Sequence, residues 1–272
     1  MGCRYEPWGT APRRPPPRTA LLPIALLPAI AFGLLFGSFL NVVAYRLPRR
    51  ESLVTPGSHC PSCDAAVKPY DNIPVLSWLL LGGRCRGCSE PIAKRYPVVE
   101  AITAVLFGAV ALLHADDTTR LVLGIVLVAF LVPIALIDLD HKIIPNRLTL
   151  PAAVLALMLG SALDPGGELG RVVAGVAAGA VLMLPSLLHP SGMGMGDAKL
   201  VAVLGLFLGP AVVPAFFVAL LAGTVVGIAV LVRKGLSEGR RTQLPFGPYL
   251  ALGGVVGVLA GDELVQRYLG TF

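Results

Sequence analysis

The sequence predicts an all-α polytopic membrane protein with about eight transmembrane helices and one small cytoplasmic, cysteine-rich domain. Three observations predict this class. The 272 residues are 55% hydrophobic and only 14% charged, whereas soluble domains are about a quarter charged. Long apolar runs recur from residue 21 to the carboxyl end. Four of the five cysteines form two C-x2-C pairs inside the one long polar segment, residues 46–96.

The apolar runs supply the predicted spans, since crossing the hydrocarbon takes about 20 residues. We expect spans over residues 21–44, 98–114, 121–138, 150–163, 172–188, 199–208, 211–232 and 248–268. The fourth and the sixth are short, so seven spans is the alternative count.

These runs divide the chain into four parts. Residues 1–20 contain five prolines and four arginines and predict a disordered tail, because such a stretch cannot pack a core. A first transmembrane helix over residues 21–45 leads into the polar segment 46–96, and residues 97–270 form the remaining transmembrane core.

The distribution of Lys and Arg predicts the orientation in the membrane. If segment 46–96 is cytoplasmic and eight helices alternate, the cytoplasmic side receives fifteen of the 22 basic residues, although four arginines of the tail oppose this assignment. Asp138 and Asp197 then both lie at the cytoplasmic boundary. The chain lacks a stripe of basic and aromatic residues, so its charge of +6 does not predict nucleic-acid binding.

Asp138 and Asp197 are the candidate catalytic residues. Asp138 ends one apolar run, and Asp197 follows Gly194 and Gly196 at the start of another. Ionisable groups at membrane depth are rare, and each is a candidate functional residue by default. Two adjacent carboxylates can share a proton and activate water for attack on a peptide bond. The resulting hypothesis is an intramembrane aspartyl protease. The alternatives are a charged helix end for Asp138 and a helix cap for Asp197.

The two C-x2-C pairs predict a zinc-knuckle domain with Cys60, Cys63, Cys85 and Cys88 as ligands. Four thiolates satisfy tetrahedral zinc and leave no open position, so the metal would be structural. A polar segment of this size also benefits from a metal that stabilises it. Two disulfides and a redox site are the alternatives, and a reducing cytoplasm disfavours the disulfides.

Several motifs carry a resemblance to a known family. The sequence is similar to bacterial type IV prepilin peptidases, the leader peptidases and N-methyltransferases of pilus and type II secretion systems. The matching motifs are GSFLNVV at 37–43, YRLP at 45–48, IPVLSW at 73–78, RYPVVE at 95–100, DLDHKIIPN at 138–146, GMGD at 194–197 and PFGPY at 245–249.

The resemblance implies a specific enzyme of the bacterial inner membrane. Asp138 and Asp197 would cleave prepilins or pseudopilins on the cytoplasmic side, with Gly194 and Gly196 supporting the catalytic loop. S-adenosylmethionine would then methylate the new amino terminus. The residues that bind this cofactor are unknown from motifs, and Asn41 and Glu100 are candidates.

Three alternatives remain open at this point. Gly33 and Gly37 form a small-xxx-small pattern that favours helix packing over cofactor binding, and Glu100 could be an interfacial charge. A non-enzymatic zinc-knuckle membrane scaffold of a pilus or secretion system is the alternative to an enzyme.

Overall fold

A computed structural model describes residues 18–188, 194–239 and 243–270. These residues form nine α-helices and two short 3₁₀ turns, without a β-strand. The helices are α1 (Arg18–Arg49), α2 (Leu76–Leu80), α3 (Arg95–His114), α4 (Thr118–His141), α5 (Asn146–Leu163), α6 (Pro165–Leu188), α7 (Met195–Leu208), α8 (Val212–Gly239) and α9 (Gly247–Leu269).

Seven stretches of the described residues are long and apolar enough to cross a membrane. One of them, Met195–Gly235, has 41 residues and contains α7 and most of α8. As one straight helix it would be about 60 Å long, roughly twice the hydrocarbon thickness. A turn at Gly209 (φ +58°) separates its two helices. The prediction of an all-helical, multi-pass membrane protein is confirmed.

Most of the helices begin earlier than the apolar runs that predicted them. α3 begins at Arg95 instead of residue 98, α6 at Pro165 instead of 172, and α7 at Met195 instead of 199. The prediction followed hydrophobicity, whereas the helical backbone continues into polar residues beyond the apolar run. α1 begins at Arg18, so three residues of the predicted tail are helical and its residues 1–17 lie outside the described chain.

The centre of the molecule is α4, which packs against α1, α3, α5, α7 and α9. Its inward residues are almost fully buried: Leu127, Val128, Leu131, Ile134 and Ile137. Asp138 directly follows this buried row. The end of α4 that carries Asp138 therefore lies among the ends of several neighbouring helices.

Close contact between α1 and α3 depends on two glycines. A Cβ at Gly33 would lie 2.6 Å from Cα of Ala104, and one at Gly37 would lie 2.8 Å from Cα of Glu100. Real side chains do not approach so closely, so both positions exclude any larger residue. Gly33 and Gly37 are thus packing residues, as the small-xxx-small alternative predicts.

Candidate active site and metal centre

Asp138 is a buried carboxylate held by the backbone of α9. Its side chain is 4% exposed, and Oδ2 accepts a hydrogen bond of 2.7 Å from the N–H of Gly247. A Cβ at Gly247 would lie 2.7 Å from the same oxygen. Only glycine therefore allows the start of α9 to approach this carboxylate.

Asp197 occupies the first turn of α7, where its N–H donates to the carbonyl of Gly194 at 3.1 Å. Gly196 brings this turn against the chain that follows α4, since a Cβ there would lie 3.0 Å from Cβ of Ile144. Lys199 Nζ donates to Oδ1 of Asn146 at 3.1 Å and links α7 to the start of α5. Residues 189–193 of the glycine-rich loop lie outside the described chain.

The two candidate aspartates lie at the same end of the helix bundle. Asp138 lies near the end of α4 and Asp197 in the first turn of α7, and Gly196 lies against Ile144, six residues after Asp138. The two carboxylates therefore lie in the same part of the bundle, although they are 59 positions apart in the sequence. Such an arrangement can hold a water molecule between an acid and a base. The structure brings together Asp138, Asp197, Gly194 and Gly196 as one site.

Asp140 has a different environment, although it lies only two residues beyond Asp138. It is exposed and pairs with Arg95 of α3, with 2.6 Å between Nη1 and Oδ2. A solvent-accessible ion pair contributes little to stability. The pair connects the start of α3 with the end of α4, outside the buried aspartate site.

The four cysteines converge on one point. Their sulfur atoms all lie within 4.8 Å of one another, with 3.7 Å between Cys60 and Cys88 and 4.0 Å between Cys63 and Cys85. Tetrahedral zinc with bonds of about 2.3 Å requires sulfur separations of about 3.8 Å. The residues present therefore fit a zinc ion.

The two C-x2-C pairs form equivalent turns. Cys60 N–H donates to the carbonyl of Ala65, and Cys85 N–H donates to the carbonyl of Glu90. In each turn the residue after the second cysteine has a positive φ, 57° at Asp64 and 60° at Ser89. Hydrogen bonds from the backbone of Cys88 and Gly87 lower the pKa of the Cys85 thiol to about 7, whereas hydrogen bonding to the neighbouring sulfurs raises the pKa of the Cys88 thiol to about 12.

The candidate cofactor residues Asn41 and Glu100 lie elsewhere, between α1 and α3. Nδ2 of Asn41 donates to the carbonyls of Gly37 and Tyr96, so its amide joins the two helices. Glu100 is 7% exposed, and its Oε2 accepts a hydrogen bond of 2.7 Å from the N–H of Val75. Both hydrogen bonds of the Asn41 amide are made within the α1–α3 contact, whereas Glu100 is a buried carboxylate beside the cysteine-rich segment.

Sequence reasoning did not assign a role to Gly247 or Val75. Both lie in motifs that carry the resemblance, PFGPY and IPVLSW, but nothing in these motifs indicates what they contact. The structure shows that each donates its backbone N–H to a buried carboxylate.

A helical membrane bundle with two carboxylates at one end has the parts of an intramembrane aspartyl protease. Comparison with known families agrees. Residues 31–114 match the family model of the bacterial peptidase A24 N-terminal domain, and residues 125–230 match that of the type IV leader peptidase family.

Curated relatives cover nearly the whole chain. A prepilin leader peptidase/N-methyltransferase of Aeromonas hydrophila is 37% identical over 275 residues, which cover 89% of this chain and 92% of the relative. A protein of the same name from Pseudomonas aeruginosa is 37% identical over 90% of this chain and 93% of its own length. Another from Neisseria gonorrhoeae is 36% identical over 90% of this chain and 94% of its own length. No solved structure matches at a comparable level of significance. The chain belongs to the type IV leader peptidase family.

Proposed function

We propose that this protein is an aspartyl endopeptidase that removes the leader from type IV prepilins or pseudopilins and then N-methylates the new amino terminus. The names of its relatives favour this enzyme over a non-enzymatic zinc-knuckle scaffold. The observation that carries the proposal is the position of Asp138 near the end of α4 and of Asp197 in the first turn of α7, at the same end of the bundle.

The aspartate pair would act by general acid–base catalysis. One carboxylate takes a proton from water as the water attacks the scissile carbonyl, and the protonated partner donates to the carbonyl oxygen or the leaving amine. Because the two groups interact, their protons belong to the pair and we assign no fixed role to either residue. The N–H of Gly247 holds Oδ2 of Asp138, which keeps its carboxylate oriented during this exchange.

The position of the pair suits a substrate with a membrane helix. Asp138 lies three residues before the end of α4, and Asp197 lies on the first turn of α7. A scissile bond just outside a hydrophobic segment would reach this depth while that segment stays in lipid. Gly194 and Gly196 allow the loop before α7 to lie close to Asp197 and Ile144.

We infer that this end of the bundle faces the cytoplasm and that the membrane is the bacterial inner membrane. Residues 46–96, which run from the last turn of α1 to the first turn of α3, carry eight Lys and Arg residues, and basic residues concentrate in cytoplasmic connections. Membrane lipid then surrounds the exposed apolar faces of the bundle.

The proposal includes two bound groups. Zinc on Cys60, Cys63, Cys85 and Cys88 would stabilise the cysteine-rich segment, as the sulfur separations allow. S-adenosylmethionine would supply the methyl group on a positively charged sulfonium. Asp138 and Asp197 have no part in this second reaction.

Substitution of each aspartate tests the peptidase. Purified Asp138→Asn and Asp197→Asn variants should cleave a prepilin at least about 10³-fold more slowly than the parent, since loss of a catalytic group has effects of this size or larger. Gel analysis of the leader-bearing and mature forms measures the rate.

Asp140→Asn is the matched control. It removes a carboxylate two residues away but only an exposed ion pair with Arg95, so its cleavage rate should stay within about threefold of the parent. Cleavage at the parental rate by either folded Asp138→Asn or folded Asp197→Asn would exclude the proposed pair.

A further inference from the structure

A cleft of about 270 Å³ lies beside the end of α1 that leads into the cysteine-rich segment. Ser38, Phe39, Val42 and Arg46 line it on the helix side. The other side is formed by Asn72, Pro74 and the loop after α1, from which Leu53, Val54, Pro56, Gly57 and Ser58 contribute. All of these residues fall within 31–114, the range of the N-terminal family model, and none belongs to the aspartate site.

Glu100 lies behind the wall of this cleft as a buried carboxylate. Its Oε2 accepts a hydrogen bond of 2.7 Å from the Val75 N–H. No cationic side chain among the described residues pairs with it, and burying an unpaired ionised carboxylate is costly. Val75 follows Pro74, which belongs to the cleft lining. The carboxylate is thus one residue layer away from the cleft.

The cleft wall also contains strained backbone. Val75 has φ +60° and ψ −50°, and the N–H of Leu76 donates to the carbonyl of Pro74 at 2.6 Å. This is a three-residue turn of the rare, strained kind, at a β-branched residue that disfavours positive φ. Such strain persists only where other contacts maintain it, and it concentrates at functional sites. The bond from Val75 to Glu100 is one such contact.

We propose that this cleft binds S-adenosylmethionine, with Glu100 supplying the negative charge that compensates its sulfonium. The proposal rests on the methyltransferase part of the proposed function and gives that activity a location. A cation beside Glu100 would offset the cost of burying the carboxylate. The lining suits the rest of this ligand, because Phe39 and Val42 offer apolar surface and an aromatic ring attracts a cation.

Arg46 provides the opposite charge at the end of the cleft. Arg46 is 9% exposed, and its guanidinium donates to the carbonyls of Ser52 and Gly57, at 2.9 and 3.4 Å. These bonds hold a fixed positive group in the lining, where it can attract the carboxylate of the amino-acid part of the ligand. The cleft therefore combines a cationic group and apolar surface in its lining with a carboxylate behind its wall.

Two ligands that differ in the charge on sulfur test the role of Glu100. S-adenosylmethionine carries the sulfonium, whereas S-adenosylhomocysteine has a neutral thioether. In Glu100→Gln the amide oxygen can still accept the Val75 N–H, but the charge is gone. Titration calorimetry with the full chain in detergent should show about tenfold or greater loss of affinity for S-adenosylmethionine and less than about threefold loss for S-adenosylhomocysteine.

A second pair of variants tests the location. Val54→Trp places a large ring at an exposed position that lines the cleft, and both ligands should bind at least about fivefold more weakly. Leu80→Trp adds the same ring at an exposed position of α2 outside the lining and should leave both affinities unchanged. Glu51→Gln removes an exposed carboxylate nearby and controls for charge alone.

The outcomes separate this inference from the proposed function. If Glu100→Gln lost affinity for both ligands equally, Glu100 would only maintain the fold and the inference would be wrong. Unchanged ligand affinity in Glu100→Gln or in Val54→Trp would also overturn the inference. Were the parent to methylate mature pilin despite either result, the methyltransferase would stand and only this site would be wrong. A parent that cleaves but binds no S-adenosylmethionine would refute both.

Discussion

Asp138 and Asp140 are two residues apart on α4, yet the helix gives them different surroundings. Two residues correspond to about 200° around a helix, so one side chain faces the bundle and the other faces outward. Asp138 is buried and bonded to Gly247, whereas Asp140 is exposed and paired with Arg95. Position on the helix, not proximity in sequence, determines which carboxylate can join Asp197.

Gly247→Ala should impair the peptidase by moving Asp138. The backbone at this position, the first residue of α9, accepts alanine, but a Cβ would meet both Oδ2 and Cβ of Asp138, at 2.7 and 3.0 Å. Displacement of a catalytic group by about 1 Å can cost roughly 10²-fold in rate. We therefore expect a loss of about 10- to 100-fold in kcat/KM for prepilin cleavage.

Gly227→Ala is the control for a glycine change in a neighbouring helix. A Cβ there would meet only Leu244, at 4.0 Å, so cleavage should remain at the parental level. A fully active Gly247→Ala enzyme would show that this backbone contact does not position Asp138.

The sequence predicted which residues form the candidate site but not how they are held. A carboxylate at the end of an apolar run is visible without a structure, and so are the paired cysteines. The bond between Gly247 and Asp138 joins residues 109 apart and depends on how α9 packs against α4. The bond from Val75 to Glu100 likewise depends on the fold of the cysteine-rich segment onto α3.

Among the elements, the cysteine-rich segment is connected to the cleft by a chain of contacts. Arg86, in the second C-x2-C turn, forms a two-point ion pair with Asp71, with 2.6 Å between Nη2 and Oδ1. The hydrogen bond from Arg86 holds the pKa of Asp71 below its usual value. Asp71 belongs to the 3₁₀ turn Pro69–Asn72, whose last residue lines the cleft. A metal that orders the cysteines therefore also orders one wall of the cleft.

The metal prediction can be measured directly. The purified protein should contain one zinc per chain, and Cys60→Ser or Cys85→Ser should lose it, because each removes one of four ligands. Loss of zinc should lower the affinity for S-adenosylmethionine more than the rate of prepilin cleavage, since the described aspartate site is built by α4, α7 and α9. Elemental analysis and the two assays give the result.

Cys3→Ser controls for the loss of a thiol, because Cys3 is far in sequence from the four clustered cysteines. It should retain zinc. A parent without bound metal, or equal zinc content in Cys60→Ser and Cys3→Ser, would contradict the assigned ligands.

For the molecule as a whole, the two candidate sites lie on the same side of the bundle. The aspartate site uses the end of α4 and the starts of α7 and α9. The cleft uses the end of α1 and the segment between α1 and α2. The ion pair between Arg95 and Asp140 joins the two regions. A substrate whose helix stays in the membrane could thus present its new amino terminus to the second site without crossing the bilayer.

The most direct test of this account is the mass of one pilin isolated from cells that produce the parent, Asp138→Asn or Glu100→Gln enzyme. The account predicts a mature pilin carrying one methyl group with the parent, an intact prepilin with Asp138→Asn, and a mature pilin depleted of the methyl group with Glu100→Gln. Mature pilin from Asp138→Asn cells, or fully methylated pilin from Glu100→Gln cells, would contradict the assignment of two reactions to two sites.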